Sequence, residues 1–369
     1  MIYLDNGATS FRKPECVSRA VLEALRSCAN PGRGGYGAAM EATRRVYTCR
    51  ERAARLFDCQ PEQVVFTANC THALNIAIHS LVKPGSRVVV SGFEHNAVTR
   101  PLHARNVQLQ VAGRKLFDWE DTLNCFEDAL KKGVNAAVFT HVSNVFGYIL
   151  PVEEMSALCK QYGVPFILDA AQSAGSIPIS LARLGAAFIA MPGHKGLLGP
   201  QGTGLLLCAD GAEPLLFGGT GNQSVQQTMP EDLPERLEAG TVNVPGIAGL
   251  GAGISYLTRI GVENIGNKEI RQMRNTVKGL EKLGYRVFSG PHQSGTASFL
   301  PGGDCEEFAE KMARLGIALR AGLHCAPLAH ESGGTLDTGT VRVSFGHDAS
   351  NIQTEQFLRA AAKEKPMKR

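Results

Sequence analysis

The segment Met191-Pro-Gly-His-Lys-Gly-Leu-Leu-Gly-Pro-Gln-Gly-Thr-Gly places Lys195 in a glycine-rich turn between two apolar runs. A lysine that attacks an aldehyde must be partly neutral, which requires desolvation and nearby positive charge. His194 stands beside it and can supply part of that environment. Taken alone, the turn suits a solvated surface lysine better. A nucleotide phosphate loop does not fit, because Ser or Thr would have to follow the lysine and Gly196 does.

Asp169 ends the apolar run Phe166-Ile-Leu and precedes Ala-Ala-Gln172. A carboxylate there is costly unless a cation meets it. A protonated pyridine nitrogen is such a cation, and the pairing keeps the ring an electron sink. A cap for the next helix is an equal alternative. Thr67-Ala-Asn69-Cys70-Thr71-His72-Ala73 follows a strand-like run and opens a helical pattern, a place where free amides and the helix dipole hold phosphate. Many strand-to-helix turns look the same. Glu94-His95-Asn96 offers an imidazole that could stack on a planar ring, and His141-Val-Ser-Asn144 an amide that could bind a ring hydroxyl. Each residue also suits a structural role.

Arg320-Ala-Gly-Leu-His324-Cys325-Ala-Pro327 gathers an arginine, a histidine and a cysteine in loop-like sequence. A thiol beside imidazole and guanidinium can become a nucleophilic thiolate, whereas a thiol buried among apolar groups stays inert. A zinc site from His324, Cys325 and His330 is the weaker alternative, since it lacks a fourth ligand. The other nine cysteines read mostly as small core residues. Arg342 alternates with Val341 and Val343, so a strand would turn it to the opposite face, placed for bidentate capture of a carboxylate. A surface arginine on an edge strand is the plainer possibility.

The elements that must position these residues are legible as short apolar runs between helical patterns: 63–68, 87–91, 136–140, 165–169, 187–190 and 203–207. Such alternation predicts an α/β fold with a mostly parallel sheet, whose ligands collect beyond the carboxyl ends of the strands. From Gly249 a long helical pattern takes over, followed by strand-like pieces at 285–289 and 340–345, which predicts a smaller second domain. The stretch 217–241 is a long connection without regular structure, and loops of that length are usually functional.

The chain has 369 residues, 44% hydrophobic and 20% charged, with a formal charge of +4. This is an ordinary globular composition that gives no reason to expect nucleic acid as a partner; the basic tail from Lys363 to Arg369 reads as a solvated end. No apolar window approaches a membrane span, the amino terminus lacks a signal pattern, and the ten cysteines have no Cys-x-x-Cys spacing. A reducing cytoplasm is the expected location.

In their order along the chain, these segments resemble the class V aminotransferase family, and within it the cysteine desulfurases and selenocysteine lyases. The likeness covers nearly the whole chain: Tyr3-Leu-Asp-Asn-Gly-Ala-Thr, Asn30-Pro-Gly-Arg-Gly, Thr71, Glu94-His95-Asn96, His141-Val-Ser-Asn144, Asp169-Ala-Ala-Gln172, Gly193-His-Lys195, Glu238-Ala-Gly-Thr241-Val-Asn243, Arg320 through Pro327, and Arg342-Val-Ser. The Gly-His-Lys and His-Cys-Ala-Pro segments are the specific ones.

The resemblance implies a pyridoxal-phosphate-dependent transferase of fold type I. It would have a large, mostly parallel seven-stranded sheet domain at 16–248 and a small α+β domain from 1–15 with 249–369. Lys195 would be the Schiff-base lysine, His95 would stack on the ring, Asp169 would pair with the pyridine nitrogen, and Gln172 and Asn144 would meet the ring oxygen. The phosphate would be held by Cys70 and Thr71 amides, His194, and Thr241 of a neighbouring subunit, which implies a homodimer. Cys325 would take sulfur from cysteine as a persulfide, leaving alanine, and Arg342 with Arg320 would hold the substrate carboxylate. The short loop around Cys325 looks like the group II desulfurases, and a sulfur-acceptor protein is a possible partner. The sequence departs from the family at Pro192, where a hydroxyl residue is usual, at Asn69-Cys-Thr-His72, where Gly-x-Thr-Glu is usual, and at Tyr36, where histidine is frequent. Selenocysteine lyase is the nearest alternative, followed by another class V reaction on a small amino acid and, outside enzymes, a sulfur-carrier or binding module.

Overall fold

The computed structural model describes residues 1–32, 34–209, 211–221 and 225–364. Arg33 of the Asn30-Pro-Gly-Arg-Gly segment and residues 365–369 of the basic tail lie outside the described residues. The chain opens with β1 (Ile2–Tyr3). Its main sheet holds β2 (Val64–Thr67), β3 (Arg87–Ser91), β4 (Gln108–Ala112), β5 (Ala136–Thr140), β6 (Phe166–Asp169), β7 (Phe188–Pro192) and β8 (Gly204–Cys208). Their spatial order is β2-β8-β7-β6-β5-β3-β4, seven strands as the family resemblance implies. Strand β8 alone runs opposite to the other six.

Six of these strands are the apolar runs of the sequence, and β2, β5, β6, β7 and β8 are buried along their whole length. Helices cover both faces of a parallel sheet, so its strands read as continuous apolar runs. The pleat then divides each run: Val89, Phe139 and Leu168 enter one core cluster, while Val88, Val90, Val138 and Ile167 enter a second on the opposite face. The seventh strand, β4, has no such run, because it is an edge strand with Gln108 and Leu109 exposed.

A four-stranded antiparallel sheet follows, with β9 (Arg286–Phe288), β10 (Thr296–Leu300), β12 (Arg320–Gly322) and β13 (Thr340–Ser344) in the order β12-β13-β10-β9. The strand β11 (Ile317–Ala318) pairs in parallel with β1. A third core cluster, including Leu4, Met273, Phe299, Val341 and Phe357, packs here, so the amino-terminal segment joins the carboxyl-terminal third of the chain. The helix Val244–Ile260 crosses the expected 248/249 junction, and its Ile247, Leu250, Ile254 and Leu257 all sit in the first cluster. The loop-like reading of Arg320 gives way to a strand: Arg320–Gly322 pairs with β13.

No helix or strand runs between Cys208 and Val244 among the described residues. The connection is nevertheless anchored. Glu238 forms a two-fold buried ion pair with Arg50, both contacts at 2.9 Å, and accepts the Phe66 N–H at 2.7 Å. Of the nine cysteines other than Cys325, five are buried, whereas Cys16 and Cys125 are exposed on helices, contrary to a core role. No helix among the described residues is long and apolar enough to cross a membrane.

Candidate active site

The sheet reverses its order beside β3: β4 lies on one side, and β5, β6 and β7 build outwards on the other. Chain segments leaving the carboxyl ends of β3 and β5 diverge there and open a crevice. His95 follows β3, Asn144 follows β5, Asp169 ends β6, and Pro192 at the end of β7 leads into Lys195. With Cys70, Thr71, Gln172 and His194 they line one pocket of about 540 Å³. The Lys195 turn is held by a backbone contact only glycine permits: a β-carbon on Gly175 would lie 2.3 Å from the Gly196 carbonyl oxygen, and Gly175 has φ +97°.

Asp169 is 3% exposed, and its Oδ1 accepts the Ala171 N–H at 2.9 Å and faces the Cys70 thiol at 3.6 Å. Burial raises its carboxyl pKa, with the Ala171 N–H and Lys195 opposing. Burial in turn lowers the pKa of Lys195, with Cys70 and Asp169 opposing and Arg342 reinforcing. The site therefore supplies the desolvation that an amine nucleophile needs.

His95 caps the helix Asn96–Ala104, its Nδ1 accepting the Ala97 N–H at 3.0 Å. That bond leaves the ring proton on Nε2. Burial and, secondarily, Lys195 push its pKa down to about 4, so the ring is neutral at pH 7. His194 is likewise lowered to about 4 by burial, and its Nδ1 lies 3.0 Å from the Thr9 hydroxyl. At the start of the helix Cys70–Leu81, the Asn69 side chain accepts the His72 N–H at 2.9 Å. The Cys70 and Thr71 N–H groups have no hydrogen-bond partner among the described residues and point the positive end of a helix at the pocket.

Lys195, His95, Asn144 and Gln172 also line an adjoining cleft of about 950 Å³ with Cys325, His324, Arg320 and Arg342. Cys325 is exposed, and both it and His324 adopt left-handed backbone, with φ of 53° and 51°. The turn is tied down on both sides: Asn96 N–H donates to the Cys325 carbonyl, and Asn144 Nδ2 to the His324 carbonyl, each at 2.8 Å. Asn144 Oδ1 is buried without a hydrogen-bond partner among the described residues. Arg342 donates from Nη1 to the Asn144 carbonyl at 2.9 Å. Burial and the charge of Arg342 push His324 down to about 2. The imidazole next to Cys325 is thus neutral, and the guanidinium groups of Arg320 and Arg342 are the fixed positive charges of this cleft.

A family model described as Aminotransferase class-V matches residues 2–357. The chain belongs to that family. A probable cysteine desulfurase of Methanothermobacter thermautotrophicus is 34% identical over 360 residues, covering 91% of this chain and 88% of that protein. One from Pyrococcus abyssi is 33% identical, with 97% and 92% covered. The solved apo cysteine desulfurase of Thermococcus onnurineus superposes with a TM-score of 0.91 at 32% identity, covering 99% of this chain and 94% of that one.

Class V aminotransferases depend on pyridoxal phosphate, and the residues of this pocket fit it. The buried Asp169 carboxylate, the unpartnered Asn144 Oδ1, the lowered Lys195 and the open first-turn N–H groups suit a cationic ring nitrogen, a donating ring hydroxyl, an aldehyde and a phosphate in turn. Of the residues assigned from sequence, Cys70, Thr71, His95, Asn144, Asp169, Gln172, His194 and Lys195 line this pocket and Arg320, Cys325 and Arg342 the adjoining cleft, whereas Thr241 lines neither. That residue lines a separate pocket with His72, Glu238 and Asn243 and does not reach the Lys195 pocket of its own chain.

The geometry gives the zinc alternative at His324, Cys325 and His330 no support. The two imidazoles stack at 7° with centroids 5.7 Å apart, and His330 Nδ1 is 2.7 Å from the Thr335 hydroxyl. No group of three His, Cys, Asp or Glu among the described residues could hold a metal ion. Three supports of the candidate site are not apparent from the sequence. Asp5 meets both arginines, Thr9 meets His194, and buried Glu94 accepts the N–H groups of Ser91 and Thr140 with Oε1, joining the ends of β3 and β5. The motif around Asp5 and Thr9 and the Glu beside His95 were visible, but their partners were not.

Proposed function

We propose that the protein is a pyridoxal-phosphate-dependent cysteine desulfurase that converts L-cysteine to L-alanine and leaves the sulfur as a persulfide on Cys325. The observation that carries this reading is a single cleft lined by Lys195, Cys325, Arg320 and Arg342. It combines an amine, a thiol and a double cationic clamp for a carboxylate. The names of the archaeal relatives support it.

The cofactor, when bound, supplies an electron sink conjugated to the substrate α-carbon. Asp169 would pair with its ring nitrogen, Asn144 and Gln172 would meet its ring hydroxyl, and His95, with its neutral imidazole, would stack on the ring. Cys70 and Thr71 amides, His194 and Thr241 of a second copy would hold the phosphate. Arg342, with Arg320, orients the substrate through its carboxylate. Lys195, the residue that would hold the cofactor's aldehyde, would serve as the base that takes the substrate α-proton. The Cys325 thiolate then attacks the substrate sulfur; an S–S bond forms, the C–S bond breaks, and the electron pair stays with carbon, which is protonated to yield alanine.

The same reading makes the active form a homodimer, because Thr241 lies away from the Lys195 pocket of its own chain. It divides the chain into a large unit, 16–248, and a small unit of 1–15 with 249–369. An acceptor protein would collect sulfur from Cys325, whose exposure leaves it accessible. Ten unpaired cysteines support a reducing compartment such as the cytoplasm.

Alanine released from L-cysteine by the purified protein, supplied with pyridoxal phosphate and a reductant, tests the proposal. Alanine formation is the expected result. A protein that turns yellow with the cofactor but forms no alanine would overturn cysteine as the substrate.

A further inference from the structure

Arg320 and Arg342 are direct partners in the register of β12 and β13. Side chains at such positions lie about 5 Å apart at their β-carbons, and like charges there repel. Screening is weak on one side, since Arg342 is 2% exposed. A carboxylate from the far end of the sequence meets both. Asp5 Oδ1 accepts from Arg342 Nη2 at 2.7 Å, and Oδ2 accepts from Arg320 Nε at 3.0 Å. Asp5 is buried and its backbone is fixed: it bridges to Ser344, and its carbonyl accepts the Tyr3 hydroxyl at 3.1 Å. Arg342 Nε stays buried without a hydrogen-bond partner among the described residues.

Two guanidinium groups and one carboxylate leave a single surplus positive charge on this wall of the cleft. We infer that Asp5 is a specificity-determining positioning residue, which sets the clamp's net charge to match one substrate carboxylate and disfavours amino acids with a second anionic group. The inference rests on the proposal that Arg320 and Arg342 receive the substrate carboxylate. Its physical basis is electrostatic matching. A pocket selects between ligands by the difference of their affinities, and one uncompensated charge within a few ångströms of a second anion dominates that difference. Removing the carboxylate would unmask the second cation and admit a dianionic side chain.

The test uses the full-length, cofactor-loaded protein and two ligands of similar shape, L-2-aminobutyrate and L-aspartate, with binding measured by calorimetry. Asp5→Asn is expected to move the affinity ratio towards aspartate by about tenfold or more. Asp5→Asn combined with Arg320→Gln removes one charge of each sign and is expected to return the ratio to the wild-type value. Arg320→Gln alone alters a half-exposed side chain and covers the case in which Asp5→Asn does not fold; it should shift the ratio away from aspartate. An unmoved ratio in either single variant, or a double variant that keeps the aspartate shift, overturns the inference. Calorimetry needs no turnover, so failure of the desulfurase reading registers separately, as absence of alanine from wild-type protein.

Discussion

The backbone N–H of Asn96 donates to the carbonyl of Cys325 across 2.8 Å, joining the residue after His95 to the exposed thiol 229 positions later. With Asn144 Nδ2 holding the His324 carbonyl, this bond braces the two consecutive left-handed residues that aim Cys325 into the cleft. The thiol side chain takes no part in that bracing, so its chemistry and its scaffold can be separated.

Cys325→Ala should therefore keep the cofactor's visible absorbance while persulfide and alanine formation from cysteine fall on the order of 10³-fold or more. Spectroscopy alongside cyanide-released persulfide measures both. Undiminished persulfide in this variant would remove Cys325 from the mechanism.

His141 is 4% exposed, and burial lowers its pKa to about 4. The unfolded chain binds its proton near pH 6.5, the folded chain only near pH 4, so folding loses stability as pH falls through that window. Replacing His141 by Asn should lower stability at pH 7, with the deficit against wild type shrinking by up to about 1.4 kcal/mol per pH unit between pH 6.5 and 4. Urea unfolding at several pH values gives the two curves; a constant gap would contradict a neutral buried His141.

Arg50 and Glu238 are both nearly inaccessible, with side chains 7% and 9% exposed. Removing one member leaves the other charge buried and unpaired, at a cost of about 3–5 kcal/mol. Glu238→Ala should show that loss in denaturant unfolding and also free the connection around it for proteolysis. A loss below about 1 kcal/mol would mean that the pair contributes little more than an exposed one.

Thr241 offers a test of assembly. If each site borrows Thr241 from a second copy, a mixed dimer of Lys195→Ala and Thr241→Ala chains contains one fully equipped site, whereas neither parent homodimer has any. Mixing the two inactive or weakened variants after subunit exchange should restore about half the wild-type activity per dimer. No recovery in verified mixed dimers would place Thr241 outside the partner's site.

Much of this molecule is legible in local sequence. Apolar runs such as Phe166-Ile-Leu and Arg87-Val-Val-Val-Ser announce central parallel strands because both of their faces are buried, and the residues that end them fall at the sheet's carboxyl edge, where Asp169 and His95 are found. The glycine-rich turn around Lys195 is visible for a similar reason, since Gly196 answers a close backbone contact with Gly175. Strand β4 escaped that logic because an edge strand alternates polar and apolar residues, and β12 because three residues, one of them glycine, carry almost no pattern.

The sequence by itself determined the α/β class, the strand ends where the candidate site gathers and the resemblance of the Lys195 and Cys325 segments, all of which follow from residues near one another in the chain. Only the tertiary structure decided that Asp5 lies between Arg320 and Arg342, that Asn144 and Asn96 hold the Cys325 turn, and that Thr241 faces a different pocket. The physical reason is that hydropathy periodicity reports which face of an element is buried, whereas an ion pair joining positions 5 and 342 depends on how separate elements dock, and no local pattern encodes that geometry.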